Sequence, residues 1–252
     1  MRAQFKKEWR ELVRTWKIFI LPIVFAILAV GQPVTYKLMP LILKSAGNMP
    51  AGTVIQIPIP RAGEVMASVF QQMTSLGVFI IALMAMGAIA GERNSGVAAT
   101  VLSKPVSRSA YVLSKILAYG LLVTISLGAA VTLSAYYTNI LIAPVDWFTV
   151  WQGFLIYLPF LLFALALTIL FGAFMPSPLA SAGSAIGTMI ALGIVGPYLP
   201  IKDWLPSALP GQAASVLTGS PWNNSLHPLL VTLLLVLGSV LLSITLFERQ
   251  EI

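Results

Sequence analysis

The stretch that decides the fold runs from Gly91 to Lys115 and reads GERNSGVAATVLSKPVSRSAYVLSK. It carries four basic residues and lies between two long runs, 65–91 and 116–145, that contain no charged residue. Each run is long enough to cross the hydrocarbon layer of a membrane, whereas the polar stretch between them is not stable there. The sequence therefore predicts a loop in water between two membrane-spanning helices.

The composition of the whole chain is that of a membrane protein. Of its 252 residues, 58% are hydrophobic and only 9% are charged, and the mean hydropathy is +0.91. A soluble domain has about a quarter charged residues. The net charge of +7 comes from basic residues beside apolar runs, which indicates membrane topology and contact with anionic lipid and excludes nucleic acid as a partner. The chain has no cysteine, which excludes disulfides and thiolate sites.

A short helix is predicted within the loop, between Gly96 and Pro105. A glycine gives the backbone freedom at its start, and the residue before a proline is disfavoured in a helix, which ends it after about two turns. Ser107 is suited to cap the helix that follows. A compact helix with an apolar face fits a groove of another protein. The apolar face, at helical spacing, consists of Val97, Ala98, Val101 and Leu102.

The loop resembles the first cytoplasmic loop of ABC-2 type transporter permeases. The resemblance rests on Glu92-x3-Gly96, on the run from Leu102 to Arg108 and on Tyr111-x3-Lys115. It implies an all-α membrane subunit of a bacterial exporter, in which this loop holds a coupling helix that docks on a separate ATP-binding subunit. The alternative is an ordinary basic loop. The residues expected to form the coupling site are Glu92, Arg93, Gly96, Val97, Val101, Leu102, Ser103, Pro105, Arg108, Tyr111 and Lys115.

Residues 2–16 are predicted to form an amphipathic helix on the membrane surface. Charged side chains fill one face and apolar ones the other, and the resembled family has a surface "elbow" helix at this place. The alternative is a signal peptide, but the charged part is long and contains two glutamates. The residues expected at the membrane interface are Phe5, Trp9, Leu12, Val13 and Trp16.

Six membrane spans follow from the lengths of the uncharged runs. The run 147–201 is too long for one helix, and Met175-Pro176-Ser177-Pro178 divides it. Asp146 and Ser177 are placed to cap the fourth and fifth spans. We predict a single transmembrane domain with an interfacial helix at 1–17, spans at about 18–38, 66–91, 111–138, 149–174, 178–200 and 228–247, a cytoplasmic loop at 92–110 and external segments at 40–63 and 201–226.

The distribution of lysine and arginine predicts the orientation. With the N-terminus inside, only Lys37, Lys44, Arg61 and Lys202 lie outside the cell. The other eleven basic residues lie inside, which favours cytoplasmic N- and C-termini in a bacterial cell membrane. The loop then faces the cytoplasm, where ATP is. The inner set consists of Arg2, Lys6, Lys7, Arg10, Arg14, Lys17, Arg93, Lys104, Arg108, Lys115 and Arg249.

The chain lacks the motifs of an enzyme that uses ATP. It has no G-x-x-x-x-G-K-[ST] phosphate-binding loop, so we expect no cofactor or metal here and ATP with Mg in a partner subunit. The sole histidine, His227, lies at the mouth of the sixth span, and no carboxylate lies inside any predicted span, which argues against a hydrolase or an ion-coupled carrier. An ATP-independent carrier or channel is the alternative, followed by a scaffold or sensor.

A ridge of small residues in the fifth span allows close approach of another helix. Gly183, Gly187 and Ala191 recur at four-residue spacing, either for a dimer contact or for packing within the bundle. Six spans without an internal repeat form half of a pathway, and the resemblance implies a second permease subunit, identical or paralogous, with two ATP-binding subunits. The sequence does not identify the substrate.

Overall fold

The computed structural model describes residues 1–45, 60–103, 107–220 and 226–249. These residues form α-helices and short 3-10 and π-helical turns, and six of their helical stretches are long and apolar enough to cross a membrane. The predicted all-α fold with six spans is thereby confirmed. The helices are α1 (Arg2–Arg14), α2 (Lys17–Ser45), α3 (Ala62–Gln72), α4 (Val78–Ala85), α5 (Ala90–Asn94), α6 (Val97–Leu102), α7 (Arg108–Leu141), α8 (Trp147–Phe174), α9 (Pro178–Val195), α10 (Leu209–Thr218) and α11 (His227–Glu248).

The fourth span, α8, lies at the centre of the bundle. It packs against α4, α7, α9, α10 and α11, and most of its apolar side chains are buried. The first span, α2, packs mainly on α7, and α9 and α11 lie at the periphery with most of their surface uncovered. An apolar helix leaves its side chains uncovered in this way where lipid or another subunit replaces water.

The predicted helix caps are confirmed. The side-chain oxygens of Ser107, Asp146 and Ser177 each accept a hydrogen bond from a backbone N–H in the first turn of α7, α8 and α9, respectively. Such a bond satisfies one of the amide groups that a helix leaves free at its start. Because these capping signals are local, they can be recognised in the sequence.

The second span, which the sequence presents as one helix, is interrupted twice. A π-helical turn at Met73–Gly77 separates α3 from α4, and residues 86–89 form a turn between α4 and α5. In that turn the Ala88 amide bonds to the Ala85 carbonyl, and the Met84 carbonyl accepts a hydrogen bond from Lys17 Nζ at 2.9 Å. In a regular helix the Ala88 amide would donate to the Met84 carbonyl. Here the ammonium group of Lys17 donates to that carbonyl instead.

The two ends of the bundle have different constructions. The loop end comprises α1, α5, α6, the start of α7, the turn between α8 and α9 and the end of α11. The far end comprises the start of α3, helix α10 and the start of α11. There α10 packs back on α3 and α8, and a Cβ atom on Gly63 would lie 1.9 Å from the Leu217 carbonyl oxygen. Only glycine permits this approach of α3 to α10.

Candidate functional site

Lys115 lies at the centre of a set of buried charges at the loop end. Its side chain is 1% exposed, and its Nζ lies 3.0 Å from Glu8 Oε2 and 2.9 Å from Glu92 Oε1. Both carboxylates are themselves almost fully buried. The lysine on α7 therefore joins α1 to α5, which forms the part of the second span at the loop end. A buried ion pair of this kind is strongly destabilising to break, because the remaining charge has no compensation.

Lys7 connects the same carboxylates from the outer side. Its Nζ lies 2.7 Å from Glu92, 3.0 Å from Glu8 and 3.0 Å from Glu11. Burial alone lowers the pKa of Lys7, but the hydrogen bond to Glu92 and the charges of Glu8 and Glu92 outweigh it and raise the pKa above its usual value. Lys7, Glu8, Glu11, Glu92 and Lys115 are termed the ion cluster below.

The carboxylates of the ion cluster are close enough to suggest a metal site, since one oxygen of each of Glu8, Glu11 and Glu92 lies within 4.8 Å of the others. The ammonium groups of Lys7 and Lys115 lie against these oxygens. A cation-binding site would need carboxylates that are not already paired with lysine. The arrangement is that of an ion-pair network.

Tyr111 extends the ion cluster to the end of the sixth span. Its hydroxyl donates to Glu92 Oε2 at 2.5 Å, and its ring stacks on that of Phe247 with the centroids 5.1 Å apart. Lys115 Nζ lies 4.8 Å from the centroid of the same ring, a cation–π distance. Through Tyr111, helices α1, α5, α7 and α11 share one continuous set of contacts.

Two arginines donate hydrogen bonds to the last carbonyl groups of α8 and α11 at the loop end. Arg93 donates to the Ala173 carbonyl at 2.9 Å and also to the Met175 carbonyl, both at the end of α8. Arg108 donates to the carbonyls of Phe247 and Glu248 at the end of α11, at 3.0 and 2.9 Å. The last carbonyls of a helix lack partners within it and favour positive charge. The first loop therefore also fixes the ends of the fourth and sixth spans.

Some of the residues expected at the coupling site are buried in the ion cluster, and others lie on the surface. Gly96, with φ of +74°, adopts the left-handed conformation at the junction of α5 and α6. Val97 and Ser103 are exposed, Val101 is half-buried against the core, and Ser103 donates to the Thr100 carbonyl. Pro105 lies outside the described residues, as does the side chain of Leu102. The structure thus brings Glu92, Tyr111 and Lys115 together and leaves Val97 and Ser103 on the surface.

The contacts of α1 with the bundle are not predicted from the sequence. The bundle face of α1 consists of Gln4, Glu8 and Leu12, all buried, so Leu12 lies in the core and not at the lipid surface. Phe5 and Trp9 are half-buried with their rings stacked, and Val13 and Trp16 are exposed. The available signal was the four-residue spacing of Gln4, Glu8 and Leu12, which places a carboxylate on the same face as a leucine.

Cavities occur toward the far end. One, of about 480 Å³, has mainly apolar walls from α4, α8 and α9, and a second, of about 440 Å³, lies between α2, α3 and α10 and has more polar walls. Thr74, in the π-helical turn, and Pro210 line both. Glu64, Gln71 and Ser75 are exposed along the same side of the second span. Such polar groups are unfavourable against lipid hydrocarbon.

The small-residue ridge of α9 lies on the outer surface of the chain. Gly183, Gly187 and Ala191 are all exposed, and apart from the neighbouring backbone of α9 itself no described atom lies within 4 Å of a Cβ placed on either glycine. The ridge is therefore not used for packing within this subunit in the structure. It lies on the helix that forms a wall of the 480 Å³ cavity.

Comparison with known proteins agrees with this architecture. The sequence profile of the ABC-2 family transporter proteins matches residues 3–252. An uncharacterized transmembrane protein of Bacillus subtilis (strain 168), YxlG, is 31% identical over 218 residues, which cover 86% of this chain and 84% of the relative. The family match includes all but the first residue of α1, the ion cluster and all six spans. This multi-pass membrane protein belongs to the ABC-2 family of transporter proteins.

Proposed function

We propose that this chain is the membrane-spanning subunit of an ATP-driven exporter and is coupled through residues 92–110 to a separate ATP-binding subunit. The observation that carries the proposal is the ion cluster, in which Glu92 and Lys115, one on each side of the short helix α6, are paired in the interior. A force applied to α6 then acts on the second and third spans together. Family membership supports a transport subunit, and the chain has no phosphate-binding loop motif of its own.

The orientation belongs to the same proposal. Placing the loop end in the cytoplasm puts eleven of the fifteen Lys and Arg residues on that side of the membrane. Both chain termini then lie in the cytoplasm of a bacterial cell. The exposed Val97 on α6 faces the compartment in which an ATP-binding subunit is available.

The interruptions of the second span offer a way to transmit the movement. The segment α4 lies between the π-helical turn at Met73–Gly77 and the turn at residues 86–89. Helices bend most readily where the regular hydrogen-bond ladder is broken. We expect a push on α6 to change the angle of α4 relative to α3. Such a push shifts the equilibrium only if the ATP-binding subunit contacts α6 differently in its two states.

A second permease subunit completes the proposed pathway. The uncovered side of the second span, with Gln71 and Ser75, and the open ridge of α9 flank the cavity of about 480 Å³. A partner subunit on this side would remove the polar groups from lipid and enclose the cavity. The partner can be a second copy or a paralogue.

The proposal is tested by purifying the tagged chain from its native membrane, identifying the proteins that accompany it and assaying ATP hydrolysis. The sharpest variant is Val97→Asp, because Val97 is 41% exposed and a carboxylate there does not disturb the core. Placing a charge in an apolar contact costs several kcal/mol, so we expect association with the ATP-binding subunit to fall by at least about a hundredfold.

The matched control is Ile201→Asp, a 54% exposed apolar residue outside the loop end. We expect this variant to retain its partner, and both variants to insert and span the membrane normally. Undiminished recovery of an ATP-binding subunit with Val97→Asp would refute the coupling role of α6. Purification of the wild-type chain without any ATPase would favour an autonomous carrier or channel.

A further inference from the structure

A column of basic residues runs along the uncovered side of α1. Arg2, Lys6, Arg10 and Arg14 follow one another at four-residue spacing, which places them on one side of the helix, and all are exposed. Within the described part of the chain none of them forms an ion pair or a side-chain hydrogen bond. Adjacent like charges at this spacing repel each other. The column therefore lacks the anions that would stabilise it.

The rest of α1 cannot supply those anions. Both of its carboxylates, Glu8 and Glu11, pair with Lys7, and Glu8 also pairs with the buried Lys115. Because the ion cluster and the buried Leu12 fix the rotation of α1 about its axis, the basic column is held away from the bundle. The charged side chains of α1 therefore form two sets. Those on the bundle side are paired in the ion cluster, and the basic column on the opposite side is exposed and forms no ion pair with a described residue.

The position of α1 places the basic column at the level of lipid head groups. Only Thr15 and Trp16 lie between the end of α1 at Arg14 and the start of the first span at Lys17, and Trp16 is exposed. Beside the column lie the half-buried Trp9 and the exposed Val13. Tryptophan side chains prefer the interface between hydrocarbon and head groups. An amphipathic helix at this depth presents its polar side to phosphate groups.

We propose that Arg2, Lys6, Arg10 and Arg14 form a binding site for the head groups of anionic phospholipids in the leaflet at the loop end. Arginine binds phosphate oxygens in a bidentate manner, and each cation near an anionic surface adds to the affinity. Bound lipid would press α1 against the bilayer and so support the ion cluster from outside. This inference depends on membrane insertion and not on the proposed ATP-binding partner.

The test uses quenching of tryptophan fluorescence by brominated lipids in bilayers that contain the full-length chain. Trp9 is kept as the reporter, and Trp16, Trp147, Trp151, Trp204 and Trp222 are replaced by Phe. Brominated phosphatidylglycerol is compared with brominated phosphatidylcholine at equal content. We expect a preference for phosphatidylglycerol on the order of tenfold at low salt, which falls at about 0.5 M salt because exposed charges are then screened.

The decisive variant is Lys6→Gln with Arg10→Gln and Arg14→Gln, which we expect to lose most of the preference. Its control is Lys37→Gln with Arg61→Gln and Lys202→Gln, which removes three exposed cations outside the loop end and should leave the preference unchanged. Equal quenching of the wild-type chain by both lipids, or an unchanged preference in the α1 variant, overturns the proposal. Loss of a protein partner without loss of the lipid preference would assign the column to an acidic protein surface instead. If the α1 variant does not fold, the salt dependence of the wild-type chain decides.

Discussion

The loop end is held by paired charges, whereas the far end is held by neutral contacts and contains open space. All ion pairs among the described residues lie at the loop end. Toward the far end, Gln32 donates to Gln72 and Ser68 donates to Gln32, and Trp204 stacks on His227 at a centroid distance of 4.4 Å. Charged pairs in an apolar environment fix geometry more strongly than amides or hydroxyls do. We therefore expect the loop end to move as one body and the far end to rearrange around its cavities.

The largest expected effect is that of Lys115→Met, which removes the central cation of the ion cluster. Glu8 and Glu92 would then remain buried with only Lys7 between them. Removing one partner of a buried pair costs about 3–5 kcal/mol. We expect a large loss of thermal stability in detergent, and early proteolysis at the loop end.

The control for Lys115→Met is Lys37→Met, because Lys37 is exposed at the other end of the first span. Adding Glu8→Gln to Lys115→Met should restore part of the stability, since it removes a buried charge that the first substitution leaves without its partner. If Lys115→Met unfolds at the wild-type temperature, the ion cluster does not hold the loop end together.

The next effect concerns the far end and uses Gly63→Ala. The added Cβ would lie 1.9 Å from the Leu217 carbonyl oxygen, so α3 and α10 must separate. Overpacking of this kind costs about 1–3 kcal/mol. We expect lower thermal stability and faster hydrogen exchange in α10, with the amides of α1 and α5 protected as before.

Gly211→Ala is the matched control, because a Cβ at that position of α10 has open space around it. It should leave stability near that of the wild type. An equal increase in exchange at both ends of the bundle for Gly63→Ala would show that the two ends unfold together, and the contrast between them would fail.

The parts of this molecule that the sequence predicts are the ones set by local chemistry. An uncharged run of sufficient length must span the membrane, and Asp146 and Ser177 satisfy the amide groups of the helix that follows each of them. The pairing of Lys115 with Glu8 could not be predicted in this way. Glu8 is separated from Lys115 by 107 residues, and several other carboxylates lie near the membrane ends in the sequence.

The interruptions of the second span were missed for a related reason. Residues 65–91 have the composition of a regular apolar helix. The π-helical turn places Thr74 where its hydroxyl lies 3.1 Å from that of the buried Tyr157, and the second turn exposes a carbonyl to Lys17. Each irregularity is stabilised by a side chain from another span. Local propensity cannot reveal a deviation whose partner is distant in sequence.

The smallest expected effect is that of Lys7→Met, because the Lys7 side chain is 34% exposed and water screens part of its interaction. Its raised pKa gives the effect a characteristic pH dependence. The folded chain holds the proton of Lys7 more tightly than the unfolded chain does, whose pKa is near 10.5. The stabilisation is therefore fully present below about pH 10.5 and is lost as the pH rises through the higher pKa of the folded state.

The measurement that isolates Lys7 is the difference in thermal stability between wild type and Lys7→Met, taken from about pH 7 to about pH 12. We expect the difference in thermal stability to be small and constant up to the pKa of the free lysine and to decline above it. The decline occurs because the wild type then loses the positive charge of Lys7, which the variant already lacks. Lys37→Met should show no such convergence, because Lys37 is exposed and forms no ion pair with a described residue. A difference that stays constant to the highest pH would mean that Lys7 contributes by the packing of its methylene groups and not by its charge. Lys115 would then be the one cation whose charge stabilises the ion cluster, and the outer half of the cluster would be no more rigid than the far end.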